Sequence, residues 1–381
     1  MMKMKYWMLG LAALSVLALS ACQAKEAAPT ESAKESTTAM AEESKESEAA
    51  SSEESKEKEE PESAAADFTG KTLNVVATSE KYTDLFAEFT KQTGAKVEFL
   101  SMSSGEVITR AKAEGKPMAD VWFGGGLDAF MAAKADGLLE LYQSPNAEDI
   151  PEAYKDADGA WIAKGITVVG FLVNNSVMEE KNLEVPKTWE SLADEKYKGE
   201  VIMSNPAVSG TNYAAVKGLL DLYGEEKGWE YMKKLNANIS FYGKRGKDPQ
   251  EKTQMGEFGI GIIPVDQSAF DVAMENDLTV VYPEDGILWV PEGVAIFKGS
   301  DNTDVAKAFI DFMLTKEAQE MIAKLDGKDS AQIVKPGVEG LSLGLPKELL
   351  IEQDLSTFGS KRAEILEKFA EIAADKIQKD E

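Results

Sequence analysis

The chain has 381 residues, with 67 acidic against 41 basic side chains, a net charge of −26 at neutral pH, no histidine and one cysteine. That acidity argues against a nucleic-acid partner, which calls for a basic face. A single thiol rules out a disulfide within the chain. Without histidine or a second cysteine no nucleophile–base pair stands out, so no catalytic residue is assigned and the chain is not expected to be an enzyme.

Lys3 and Lys5 precede the apolar run Trp7–Leu19, which is too short for a comfortable membrane helix and reads as a targeting segment. Its end, Leu19-Ser20-Ala21-Cys22, resembles a bacterial lipobox. That resemblance implies a lipoprotein signal peptide over residues 1–22 and lipid attachment at Cys22. Residues 23–66 carry thirteen Glu and five Lys, with no aromatic residue and neither Val nor Ile. Such a segment cannot bury enough apolar surface to offset its ordering entropy, so it reads as a disordered acidic tether. No later apolar run is long enough to span a membrane. The remainder is long enough for two lobes.

Three strand–polar turn–helix units follow. Strand 71–77 leads through Thr78-Ser79-Glu80 to helix 82–92; strand 95–100 leads through 101–105 to helix 106–114; and strand 120–123 leads through Gly124-Gly125-Gly126 to helix 127–135. Repetition of this unit predicts a parallel sheet whose three turns gather at the carboxyl ends of the strands, where such sheets bind ligands. Ile166–Val173 is predicted to cross into a second lobe. There strand 200–203 runs into Ser204–Tyr213 and then helix 214–222. Helix 225–235, strand 237–242, the basic loop Gly243–Asp248, a helix from Pro249 and strand 259–263 follow. Residues 278–282 are predicted as the return crossing and 293–297 as a strand back in the first lobe. Helices are expected over 304–325 and 361–378.

Four stretches then resemble one family. Asp120-Val-Trp-Phe-Gly-Gly-Gly126, Ser204-Asn-Pro-Ala-Val-Ser-Gly-Thr211, Gly259-Ile-Gly-Ile-Ile263 and Val305–Gln319 are similar to bacterial extracellular solute-binding proteins of the ferric-iron, phosphonate and sugar-phosphate group. The resemblance implies an α/β fold of the two-lobed periplasmic-binding-protein type (type II-like), with two crossing hinge strands. It implies lobe one over 67–172, lobe two over 173–277, a hinge return with the rest of lobe one over 278–330, and a C-terminal helical segment over 331–381 packing on the lobes. It also implies an ABC permease and its ATPase subunits as partners, a membrane reached through the lipid anchor, and a monomeric receptor. The ferric members use adjacent tyrosines in lobe two. Here the corresponding region reads Pro264-Val-Asp-Gln-Ser268, which makes iron the alternative rather than the first reading. A surface enzyme on the same fold is the lower alternative.

The expected ligand is therefore a small anionic organic solute, a sugar phosphate or a phosphonate, held without cofactor or metal. Ser79, Ser103, Ser104, Gly105, Gly125 and Gly126 are the candidate residues of the first wall. Ser209, Gly210 and Thr211 form the second, where free N–H groups at a helix start and hydroxyl donors suit phosphate oxygens. Taken alone, Ser209 is equally an ordinary helix cap. Of the basic cluster Lys244, Arg245 and Lys247, Arg245 is the better anion partner because its fork binds two oxygens. Asp266 either recognises an ammonium or hydroxyl group or caps its helix, with Gln267 beside it. Trp122 and Trp289 are candidates for core packing or for stacking on a sugar ring.

Overall fold

In the computed structural model, which describes residues 66–328 and 331–377, eight strands form one continuous sheet in the order β2-β1-β3-β8-β4-β6-β5, with β7 also on β4. They are β1 Thr72–Ala77, β2 Lys96–Ser101, β3 Val121–Gly126, β4 Ile162–Asn174, β5 Val201–Ile202, β6 Ile260–Pro264, β7 Leu278–Val281 and β8 Leu288–Ile296. The signal segment, the tether and Cys22 lie outside the described residues.

On one side, β1 pairs in parallel with β2 and β3, as the repeated unit predicts. The register sets Ala77 opposite both Ser101 and Phe123, so the three strands end together. On the other side, β5 and β6 are parallel. The sides are joined by β4 and β8, which run antiparallel to each other, with β8 on β3 and β4 on β6 and β7. Every residue of β4 is buried, as expected for a strand covered on both faces. This is the two-lobed α/β fold with two crossing strands. The second crossing strand is β8, however, and not residues 278–282, which form β7 and pair only with β4. Pro291 and Glu292 interrupt the apolar pattern of β8 and hide it from a periodicity reading.

Helices Thr83–Thr93, Ser104–Glu114 and Leu127–Ala135 follow the first three strands. Four further elements differ from expectation, the first being the helix expected over 361–378, which runs Arg362–Ala373 and stops where Ala374 takes a φ of +45°. The helix after Ser209 is Gly210–Tyr223, starting four residues early because Ser209 itself is the cap. The helix Glu225–Asn238 consumes the start of the strand expected at 237–242, leaving only isolated bridges there. The long helix at 304–325 is two, Thr303–Met313 and Lys316–Asp326, broken where the Thr315 hydroxyl accepts from the Ala318 N–H at 3.3 Å.

Aromatic packing fixes the first lobe on both faces of its sheet. Tyr82 meets Phe123 edge-on at 4.8 Å and Phe89 meets Phe309 at 5.2 Å. On the opposite face the fully buried Trp122 stacks on Phe130 at 4.0 Å, which makes it core and not a ligand platform. Each such side chain contributes about 1.5–3 kcal/mol by burial. Trp289 is half-buried and donates its indole N–H to the Ile351 carbonyl at 2.9 Å. Among the described residues no helix is long and apolar enough to cross a membrane.

Candidate functional site

Gly124-Gly125-Gly126, expected as a turn after the third strand, is instead the end of β3, bulged against β8 between Phe123 and Gly126, and it is where the two sides of the molecule meet. Gly124 and Gly125 have φ of +87° and +113°, a region that glycine enters without strain. A methyl group on Gly124 would stand 2.7 Å from Thr78 Oγ1 and 3.2 Å from Lys164 Cε. On Gly125 it would stand 2.9 Å from Ser104 Cβ, and on Gly126 2.9 Å from the Cα of Gly210. On Gly105 it would meet the Ala207 carbonyl oxygen at 2.4 Å. Missing side chains therefore let the first-lobe turns touch the run 207–210 of the second lobe backbone to backbone. Ser104, Gly105, Gly125, Gly126 and Gly210 are brought together.

Ser209 caps the helix Gly210–Tyr223 in a specific way. Its hydroxyl oxygen accepts from the Asn212 N–H at 3.3 Å and from the Asn212 side-chain amide at 3.0 Å. Asn212 in turn accepts from the Ser204 N–H at 3.2 Å. With both lone pairs engaged, the hydroxyl proton of Ser209 is left to donate. Asn212 was not anticipated, although a polar residue three positions after a serine cap is a recognisable signal.

The basic loop lies against this cap. The Gly243 N–H donates to Met203 O at 3.0 Å, the Asn205 N–H to Gly243 O at 2.9 Å, and the Ser204 hydroxyl to Arg245 O. A methyl group on Gly246 would lie 3.4 Å from Ser209 Oγ. Asp248 holds the Lys244 and Arg245 N–H groups at 2.7 and 3.0 Å, which fixes the loop. The exposed Arg245 guanidinium takes no partner among the described residues, whereas Lys247 pairs with Glu251 at 2.9 Å. Thr211 is half-buried beside Gly210.

Other candidates are committed elsewhere. The Ser103 hydroxyl is used by a capping box with Glu106, donating to its carboxylate at 2.7 Å. Ser79 caps the turn Glu80–Tyr82, accepting from the Lys81 N–H at 3.4 Å. Gln267 donates to Asp271 at 2.6 Å along its own helix, and its N–H donates to Gly327 O at 2.7 Å. Asp266 caps the same helix by accepting from the Ala269 N–H at 3.2 Å. Burial raises the Asp266 pKa, against the pull of the Lys328 and Lys81 charges.

A buried ionic network, absent from the sequence reading, continues from Gly124. Lys164 is fully buried and pairs with Asp326 and, at 2.8 Å, with Glu292. Lys328 reaches Glu292 at 3.0 Å and the Thr167 hydroxyl at 2.7 Å, and Thr167 donates to Glu292 at 2.7 Å. Lys81 and the Tyr82 hydroxyl meet Asp326 at 3.2 and 2.6 Å. Burial alone would raise both carboxylates, but Lys164 and Lys328 override it and hold Glu292 well below, and Asp326 below, the ordinary range. Burial likewise disfavours charge on Lys164, yet Asp326 and Glu292 carry its pKa well above normal. Lys164 in β4 and Glu292 in β8 are charges inside otherwise apolar strands, and that mismatch was the available signal.

A cavity of about 470 Å³ lies elsewhere, lined by Tyr142, Lys155, Trp161 and Ile310 among others, and shares none of these residues.

Comparison with known proteins gives a consistent picture. Residues 116–339 match the profile of the family described as bacterial extracellular solute-binding protein. An uncharacterized protein of Haemophilus influenzae is 33% identical over 294 residues, 74% of this chain and 84% of that one. Iron uptake protein A1 of Synechocystis sp. is 27% identical over 282 residues, covering 69% of this chain and 77% of that one. The solved periplasmic binding protein AfuA from Actinobacillus pleuropneumoniae, with exogenous fructose-6-phosphate bound, superposes with a TM-score of 0.75 at 31% identity, over 80% of this chain and 99% of that one.

Proposed function

Since this chain belongs to the bacterial extracellular solute-binding protein family, whose members serve ABC importers, we propose that it captures a small anionic organic solute, a sugar phosphate or phosphonate, between its lobes. In this reading residues 67–172 with 288–330 form one lobe and 173–287 the other, the boundary lying at β8 rather than at 278, the segment from residue 331 packs on both, and Cys22 carries the lipid anchor. It acts as a monomer that hands its solute to the permease.

The observation that carries the proposal is the Ser209 hydroxyl, oriented by Asn212 at a helix start against the loop that carries Arg245. Free N–H groups and an aligned hydroxyl stand there, and the loop that carries the Arg245 cation is held against them by its bond to Ser204, together the donor types a phosphate dianion takes up. Asp266, a buried carboxyl near Lys328 and Lys81, is the candidate acceptor for a hydroxyl or ammonium group of the solute. The solved relative with bound fructose-6-phosphate supports a phosphate ester. The name of the Synechocystis relative supports iron instead. Against iron, the segment after β6 offers Val265-Asp266-Gln267 in place of a tyrosine pair, and the Tyr82 hydroxyl is already bonded to Asp326.

Calorimetric titration of purified protein with fructose 6-phosphate, glucose 6-phosphate, 2-aminoethylphosphonate and ferric citrate tests the reading. Binding of a phosphate ester or phosphonate, and its loss in the Ser209→Ala/Arg245→Gln variant, is expected. A protein that binds ferric citrate alone sinks the proposal in favour of iron. Turnover of any of these compounds revives the enzyme reading.

A further inference from the structure

The C-terminal segment bridges the two lobes, and one side chain does so at the mouth of the proposed anion site. The Tyr213 hydroxyl of the second lobe donates to Phe358 O at 2.7 Å. Gly359 passes so close to the first lobe that a methyl group there would meet Met131 Cβ at 2.2 Å. The helix Arg362–Ala373 then runs along the second lobe, where Asn236 donates to Ile372 O at 2.9 Å and Lys376 to Ile239 O at 2.7 Å.

At the start of that helix, Arg362 Nε donates to Asp128 Oδ2 at 2.7 Å, and its Nη2 donates to Ala207 O at 3.3 Å. Its guanidinium also lies 5.7 Å from the centre of the Tyr213 ring. Asp128 belongs to the first turn of the helix Leu127–Ala135 in the first lobe, while Ala207 is two residues before Ser209 in the second. One planar cation therefore holds both sides of the cleft.

Asp128 is the reason this matters for an anion. It is 1% exposed, and its Oδ1 has no hydrogen-bond partner. That oxygen lies 2.6 Å from where a Cβ on Gly126 would be, and Gly126 is the residue packed on Gly210. A buried carboxylate thus sits beneath the lobe contact, next to the helix start assigned to the anion. Burial already raises its pKa against the pull of Arg362, so once unpaired it would repel a phosphate group wherever it stays ionised, and more strongly as the pH rises.

We propose that Arg362 is a positioning residue for anion binding: it cancels the charge of Asp128 beneath the Gly126–Gly210 contact and ties the Ala207–Ser209 segment to the first lobe. This rests on the phosphate-ester reading above. Arg362 touches Asp128 and Ala207 and acts on the solute through them.

The test compares wild-type, Arg362→Gln, Asp128→Asn and Asp128→Asn/Arg362→Gln proteins in titrations with glucose 6-phosphate and 2-aminoethylphosphonate, with hydrogen exchange followed in the absence of solute. R362Q is expected to lose roughly tenfold in affinity, the scale of one uncompensated charge acting at short range on an anion. The double variant is expected to recover most of that loss. It lacks the carboxylate that R362Q leaves bare; thermal melts on the same preparations separate this from a purely structural role, which would lower affinity only as far as the folded fraction falls at the titration temperature. Amides 207–213 are expected to exchange faster in R362Q than in wild type. Unchanged affinity in R362Q, or a double variant as weak as R362Q, overturns the charge-cancelling role. Unchanged exchange at 207–213 overturns the tie. A wild-type protein that binds neither compound overturns the phosphate-ester reading instead, and the exchange comparison still decides the tie.

Discussion

The hydroxyl of Ser209 accepts two hydrogen bonds from Asn212, one from its backbone N–H at 3.3 Å and one from its side-chain amide at 3.0 Å. Asn212 is fully buried and also satisfies the Ser204 N–H. Replacing it with Leu leaves that N–H unpaired and removes the side-chain one of the two bonds that orient the Ser209 hydroxyl. We expect Asn212→Leu to lose about 1–3 kcal/mol of stability in urea unfolding. Ser209→Ala should lose only about 1 kcal/mol, the usual cost of a removed cap. Both should weaken solute binding. An Asn212→Leu protein with wild-type affinity would show that hydroxyl orientation is irrelevant to the site.

Gly210 offers a way to separate folding from closure. Its backbone is outside the left-handed region, so alanine there carries no local strain. Across the cleft, however, the added methyl would lie 2.8 Å from the Gly126 nitrogen and 2.9 Å from its Cα, both rigid backbone atoms. Gly210→Ala should therefore unfold at nearly the wild-type temperature while binding solute at least roughly tenfold more weakly, because closure is blocked in a hinged receptor. Small-angle scattering with and without solute checks it. A variant that still compacts on adding solute rules out the tight Gly126–Gly210 approach.

Legibility of the chain followed from how local each signal was. Repeated strand–turn–helix units need only neighbouring residues to be read, so the parallel β1, β2 and β3 and their shared carboxyl ends were visible, as was the first crossing strand. Ser209 was visible as a cap, and Asn212 should have been, since it is three positions away. The return crossing was missed because Pro291 and Glu292 break the apolar run of β8, and both residues make sense only in the folded sheet. The ionic network joins residues as distant in sequence as Tyr82, Lys164, Glu292 and Asp326, and no local pattern couples them. Arg362 and Asp128 are separated by 234 positions, and their pairing is a tertiary fact alone.

The network gives a defined dependence on acid. Glu292 and Asp326 are depressed below their ordinary values of 4.5 and 3.8. A carboxylate of this kind contributes stability that is fully present above its unfolded pKa and is lost as the pH falls toward the lower folded pKa. At neutral pH, Glu292→Gln should therefore melt well below wild type. The gap should narrow as the pH drops below 4.5, where wild type begins to forfeit the same contribution. A gap that stays constant from pH 7 to 3 contradicts an ionised Glu292.

Lys164 is the cation common to both carboxylates, and its side chain is fully buried. Lys164→Met leaves two interior carboxylates short of a partner, and breaking such a pair typically costs about 3–5 kcal/mol. Its own pKa is raised, so its contribution is complete below the ordinary lysine value of 10.5 and is lost only as the pH rises through the higher folded value. The defect of Lys164→Met in urea unfolding should thus be flat between about pH 6 and 9. Lys91→Met, at a side chain 76% exposed, is the control and should be nearly neutral. Equal effects at the two sites would mean that the network contributes nothing to folding.

Asp266 should behave in the opposite sense. Burial raises its pKa, so the folded state prefers the protonated form, and the carboxyl favours folding most below the unfolded value of 3.8. As the pH rises through the folded pKa, holding the ionised group becomes a cost. Asparagine removes that cost while keeping an oxygen to accept the Ala269 N–H now bonded at 3.2 Å. Asp266→Asn should therefore be as stable as wild type, or more so, at pH 7. If Asp266 contacts the solute, the same variant should bind it more weakly. Higher stability with lower affinity is the pattern expected where a polar group is retained for binding at the expense of folding. A thermal melt and a titration on one preparation decide the matter: lower stability with intact affinity would assign Asp266 to structure alone.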